Sequence, residues 1–272
     1  MTIRIAHECP KSLFDRVSTI TDYDYALVHL FEEDGEYYDQ FVIAKAKGRE
    51  IVLENSIFEL EEAFDPDRFA YWVTRLKPHW YIIPDVLEDC DQTIKNVEDW
   101  VENYSKPNQF NWFNSKSIGV VQGKSYAEIV KCYQAIEPLV DKVAISFDYS
   151  FFRDIPGEYP TKYHMYVKGR QMLIDQLLAD GIINRKKLHH LLGCGLPQEF
   201  AHYNSPQYAW IDTLDTSNPV VAGLKGIKYN AAAGLEDKPS EKLFTMINHK
   251  PTSKETDDII YNIFCFRTII HG

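Results

Sequence analysis

A repeated alternation constrains this chain more than any other feature. A short apolar run stops at a polar residue, and a segment of helical periodicity follows. Ile51-Val52-Leu53 stops at Glu54, Trp80-Tyr81-Ile82-Ile83 at Pro84-Asp85, and Ile118-Gly119-Val120-Val121 at Gln122-Gly123. Val143-Ala144-Ile145 stops at Ser146, Leu188 to Leu192 runs on to Gly195, and Ala209 to Leu214 stops at Asp215. Between them, Pro66 to Leu76 carries Phe69, Trp72, Val73 and Leu76 at helical spacing, with Asp65 as the N-cap. Asp91 to Tyr104, Ser125 to Val140 and Thr161 to Ala179 read as further helices. Strands that alternate with helices imply a parallel sheet. Six such units, with one or two more at the ends, over ~250 residues suggest a closed (β/α)8 TIM barrel. The expected class is α/β, with residues 1–272 forming one domain. An open doubly wound sheet is the alternative, but no Gly-x-Gly-x-x-Gly turn follows any strand.

The ends of the chain are read differently. Tyr25 to Phe31 and Gln40 to Ala44 are expected to form a hairpin around the acidic turn Glu32 to Glu36. Leu224 to Lys228 is the expected closing strand, with helices at Glu241 to Asn248 and Glu255 to Ile269.

The formal net charge of −11 argues against a protein that coats nucleic acid through a broad basic face. It leaves room for a local basic rim. Lys45, Lys47 and Arg49 form one cluster and Lys225 and Lys228 another, each weighed against plain solvated charge. The five cysteines, at 9, 90, 132, 194 and 265, imply reduced thiols and a cytoplasmic location. No two are close enough for a zinc knuckle. No run approaches the ~18 apolar residues of a membrane span, so no membrane partner is expected. The start, Met1 to Glu8, shows no secretory signal.

In a TIM barrel the active site gathers at the C-terminal ends of the strands. The residues there are Glu54, Asp85, Gln122, Ser146, Gly195 and Asp215. Several carboxylates suit acid/base or nucleophilic work at a sugar carbon. Carboxylate and amide groups together also suit a purine edge, which presents donors and acceptors side by side.

Five stretches, in order, resemble the motifs of the tRNA-guanine transglycosylase family. They are Glu54-Asn55-Ser56-Ile57-Phe58-Glu59, Asp85 after Ile82-Ile83-Pro84, Val121-Gln122-Gly123, Leu191 to Glu199, and Asp212-Thr213-Leu214-Asp215 with Pro219. The resemblance covers residues 51–219. It implies a base-exchanging reaction in which Asp215 attacks C1′ of a nucleotide and Glu54 is the general acid/base. Phe58 would stack on the base, Asp85, Gln122 and Gly123 would line its edge, and the backbone near Ser146 would meet its exocyclic oxygen. The target nucleotide must be flipped out or unpaired.

The chain departs from the family at four points. Glu54 replaces an Asp, Ser56 and Ile57 replace paired glycines, the zinc-binding cysteines are missing, and the chain is shorter. These departures resemble the divergent branch, common in phages and mobile islands, that inserts 7-deazaguanines into DNA. The resemblance thus implies DNA before tRNA as polymer, a 7-deazaguanine as incoming base, no metal and no cofactor. A phage-encoded member would work in the host cytoplasm, as a homodimer or with a partner subunit. Two alternatives stay open. One is a glycosidase-like barrel using Glu54 and Asp215. The other is a catalytically silent base-binding subunit. Asp215 is also weighed as a simple turn residue. His189 and His190 are read as structural, and Cys194 as a small buried residue.

Overall fold

The computed structural model describes residues 3–104 and 115–271. Residues 1 and 2, at the start of the stretch read for a secretory signal, lie outside them. Eight strands form one sheet: β1 Arg4–Ala6, β2 Asp24–Leu27, β3 Ile51–Glu54, β4 Trp80–Ile82, β5 Lys116–Val121, β6 Lys142–Ser146, β7 Leu188–Leu192 and β8 Ile211–Asp215. Their order is β1-β8-β7-β6-β5-β4-β3-β2, with helices interleaved along the chain. This is the (β/α)8 barrel of the α/β class. The helices are α1 Phe14–Ser18, α2 Val28–Glu33, α3 Gly35–Ala46, α4 Ile57–Leu60, α5 Pro66–Leu76, α6 Cys90–Asn103, α7 Tyr126–Ile136, α8 Lys162–Ala179, α9 Asn218–Leu224 and α10 Ser253–His271.

The packing divides the chain into two compact units. One comprises Tyr23–Ile145 and Gly181–His189. Its strands pair in parallel, with Leu53 opposite Tyr81 and Ile82 opposite Ile118, so β3 and β4 end at one level and β5 runs on past them to Val121. All four residues of β3 are buried, as expected of a strand covered on both faces. The helices start where the sequence places caps. Asp65 accepts the Arg68 N–H at 2.9 Å, Asp89 that of Gln92 at 3.0 Å, and Ser125 that of Glu128 at 3.3 Å. Phe69, Val73 and Leu76 then turn to the core.

The other unit comprises Met1–Asp22, Ser146–Asp180 and His190–Gly272. Here β1 pairs with β8, Ala6 standing opposite Asp215, and Arg4 bridges to Asp212 at 3.0 Å. α9 and α10 cross closely. A Cβ on Gly223 would fall 2.6 Å from the Ile259 backbone nitrogen, so only glycine permits the approach. Val17, Val220, Val221, Ile259 and Ile263 form the core beneath them.

Three expectations at the ends are corrected. The hairpin over residues 25–44 is one strand and two helices. Asp34 accepts the N–H groups of Glu36 and Tyr37 at 3.0 and 3.1 Å and starts α3. Tyr37, Phe41 and Ala44 then recur at helical spacing and are buried. The run Phe41 to Ala44 looks strand-like only when that longer period is ignored. Leu224 to Lys228 is no strand. Leu224 ends α9, and the Ile227 N–H turns back to the Ala222 carbonyl at 2.9 Å. The place beside β8 is taken by β1, whose three residues are too few to show a period. Of the helix expected over Glu241 to Asn248, only the short 3-10 turn Leu243–Met246 forms.

Candidate active site

Two polar clusters stand at C-terminal strand ends, one in each unit. In the unit of residues 23–145, Asp85 follows β4 and is 1% exposed. Its Oδ1 accepts from the Asn55 amide at 2.7 Å and its Oδ2 from the Gln122 amide at 2.6 Å. Asn55 also donates to the Ile83 carbonyl at 2.9 Å and accepts the Ile57 N–H at 3.0 Å. The Gln122 oxygen accepts the Glu88 N–H at 2.9 Å. Burial pushes the Asp85 carboxyl up to about 6, against the pull of its two amide donors. A carboxylate has about four acceptor positions, so each oxygen keeps room for a ligand donor. Gln122 likewise keeps a second amide hydrogen.

Glu54, at the end of β3, is buried and turns back to accept the Ser56 N–H. Ser56 adopts φ +64°, a left-handed conformation that glycine takes readily and serine rarely. The loop therefore keeps a glycine-like backbone where the sequence has Ser. Phe58 follows on α4 and is 41% exposed, so it is not core. Gly123 lies against α7; a Cβ there would meet the Glu128 Cβ at 2.7 Å. A cleft of about 830 Å³ opens nearby, lined by Glu32, Glu62, Phe64, Asp99 and Trp100 among others. Its acidic wall is unsuited to a polyanion.

In the other unit Asp215 ends β8 and is 7% exposed. Its Oδ1 accepts both from His190 Nε2 at 3.0 Å and from the Gly193 N–H at 3.1 Å. Among the described residues no hydrogen bond falls on Oδ2. His190 Nδ1 meets the Thr213 hydroxyl at 2.9 Å. A carboxylate oxygen accepts, so His190 donates to Asp215 through Nε2. Gly193 has φ +64°, and a Cβ there would lie 2.7 Å from the Phe147 ring. Backbone and space both require glycine at this point. The loop is fixed from behind. Arg170, fully buried, donates to the Leu192 carbonyl at 2.8 Å and the Gly193 carbonyl at 3.1 Å, and pairs with Glu199 at 2.6 Å.

His7, just past β1, is 5% exposed and meets the Thr216 carbonyl through Nδ1 at 3.0 Å. Burial lowers it to about 4, so it is neutral near pH 7. Its Nε2 has no partner among the described residues.

Of the residues nominated from sequence, Asp85 and Gln122 are bonded to each other, and Glu54 ends the adjoining strand β3. The Ser146 N–H donates to the Tyr149 hydroxyl at 3.2 Å, and its own hydroxyl binds Asp148 at 2.8 Å. Gly195 lends its carbonyl to Asn218 at 3.1 Å. The nominated cations have structural partners. Arg49 pairs with Asp24 at 2.9 Å and Lys228 with Asp258 at 3.0 Å. Lys225 pairs with Glu241 at 2.5 Å, and Lys45 donates to the Leu76 carbonyl at 2.9 Å. Lys45, Lys47 and Arg49 precede β3, at the opposite end of that strand from Glu54. Burial pushes the Cys194 thiol far up, which makes it a poor nucleophile.

Asn55, His190, Thr213, Gly193 and Arg170 were not nominated. A signal for His190 existed. Neighbouring strand residues face opposite sides, so one of the two histidines must face inward. His189 instead stacks on Tyr133, 5.8 Å between ring centres. No protein-family model matches the chain, and no curated protein matches it.

Proposed function

We propose that this chain is a base-exchanging glycosyltransferase, which removes guanine from a polynucleotide and inserts a 7-deazaguanine. The observation that carries the reading is the Asp215 carboxylate. One oxygen is fixed by His190 and Gly193, and the other is uncommitted at the end of a barrel strand. That oxygen attacks C1′ of the nucleotide. The C1′–N9 bond breaks, its electron pair leaves with guanine, and the base takes a proton from the Glu54 carboxyl group. The incoming base returns a proton to Glu54, its N9 attacks C1′, and the C1′–O electron pair goes back to Asp215. The exchange balances without metal or cofactor. Asp85 and Gln122 present acceptor and donor positions suited to a guanine edge, and the exposed Phe58 ring is suited to stacking.

The cytoplasm as the place of action rests on the five scattered cysteines, whereas the preference for DNA over tRNA rests on the resemblance alone. So does the expectation of a homodimer or partner subunit.

The test is incorporation of radiolabelled guanine into DNA and, separately, into tRNA, by wild type and Asp215→Ala. Label entering one polymer with wild type only is the expected result. No label in either, with folded protein, refutes the exchange. One observation favours a second reading, the silent base-binding subunit: the Glu54 carboxylate is turned onto its own loop. That reading predicts guanine binding without exchange, unchanged by Asp215→Asn.

A further inference from the structure

Beside Asp215 stands a cation that the sequence did not nominate. Lys238 lies in the irregular segment between α9 and α10 and is half-buried. Its Nζ is 4.1 Å from the centre of the Phe147 ring and 5.6 Å from that of Tyr163. Phe147 is the ring that closes on Gly193, whose N–H holds Asp215. Lys238, Phe147, Gly193 and Asp215 are thus linked in one chain of contacts. Asp215, Asp148 and Glu8 all act electrostatically on the ammonium. Yet among the described residues Nζ has no ion pair and no hydrogen bond. Its three N–H donors stay available while the aromatic face holds the charge in place.

The contrast with the nominated cations is informative. Arg49, Lys225 and Lys228 are neutralised by carboxylates. Lys238 is not. Burial lowers its affinity for a proton, whereas the surrounding acidic groups raise it. A phosphate oxygen would do the same without competing for the Asp215 oxygen that faces sugar. A net charge of −11 also makes one well-placed cation matter more for a polyanion than it would on a basic surface.

We propose that Lys238 binds a backbone phosphate flanking the nucleotide whose sugar Asp215 attacks. The inference rests on the exchange reading above and names a subsite for its polymer. It is tested by binding of a guanine-containing single-stranded oligodeoxynucleotide and of a tRNA across a salt series. Wild type, Lys238→Met and Lys238→Arg are compared, with free guanine binding and base exchange measured on the same preparations. The expected result is a loss of about tenfold in affinity for one polymer in Lys238→Met. The slope of log affinity against log salt falls by about 0.7, the share of one phosphate contact on a single strand. Free guanine binding is unchanged, and Lys238→Arg restores the polymer affinity. An unchanged salt slope overturns the proposal, as does an equal loss of guanine binding. A borohydride-trapped adduct between Lys238 and the sugar also overturns it, because it would make the amine a nucleophile. If wild type binds polymer with the Lys238-dependent slope but exchanges no base, the exchange reading fails and the phosphate site stands.

Discussion

His190 shows how much of this site depends on single side chains. It touches Asp215 through Nε2 and Thr213 through Nδ1, so its orientation is set from both sides. It acts through Asp215 and is a positioning residue. His190→Ala is expected to lower kcat for exchange roughly 10- to 100-fold, the value of losing a hydrogen bond to a buried charged group. KM for guanine should stay near that of wild type, because in the proposed reaction the base is read by Asp85 and not by His190. Steady-state kinetics check this; a rise in KM with kcat intact would refute the role. Asp85 predicts a pH effect. Its folded value of about 6 lies above the ordinary 3.8, so folding favours the protonated form. Its contribution to stability is present below about pH 4 and lost as pH rises through 6, by about 3 kcal/mol at most. Guanine affinity should move the other way and strengthen as pH rises through about 6, as the carboxylate forms. Calorimetric titration of guanine at pH 5 and pH 7, with Asp85→Asn as the flat control, measures it.

At the scale of elements, what the sequence made legible was whatever carries a period and a cap. β3, α5 and α7 fall within a few residues of expectation, because Asp65 and Ser125 announce their helices and Ile51 to Glu54 is buried throughout. β1 was not legible, since three residues cannot show a period. α3 was misread because its aromatic stripe overlaps an apolar run. Asp215, Asp85 and Gln122 could be nominated because they end strands. The parts that hold them, Asn55 and Arg170, could not, because their tertiary contacts lie 22 to 30 positions away in sequence. Arg170 joins α8 to the loop after β7. Removing it alone leaves Glu199 buried and uncompensated, and Arg170→Met is expected to cost about 3–5 kcal/mol. The double variant Arg170→Met with Glu199→Leu should recover part of that loss. Urea denaturation of both single variants and the double variant gives the coupling; additive losses would mean the pair does not act as a unit.

For the whole molecule, acid is the expected weak point. Burial holds His7 and His29 near 4 and His189 near 3, all below the ordinary 6.5. A histidine kept neutral by folding stabilises fully above its unfolded value. That contribution is lost as pH falls through its folded value. Three such groups outweigh the opposite slope of Asp85, so the urea midpoint should fall steadily from about pH 6.5 to pH 4. His189→Gln should flatten the curve; an unchanged slope would count against it. The pairing of β1 with β8 has a consequence for synthesis. Arg4 and Asp212 are neighbours in the folded protein but 208 positions apart in sequence. At ribosomal rates of roughly 5–20 residues per second, the first strand waits on the order of 10–40 s for its partner. Residues 23–145 emerge within that interval, and the unit they belong to is completed only when Gly181–His189 follow. The Asn55, Asp85 and Gln122 side chains are therefore all made well before Asp215 is translated.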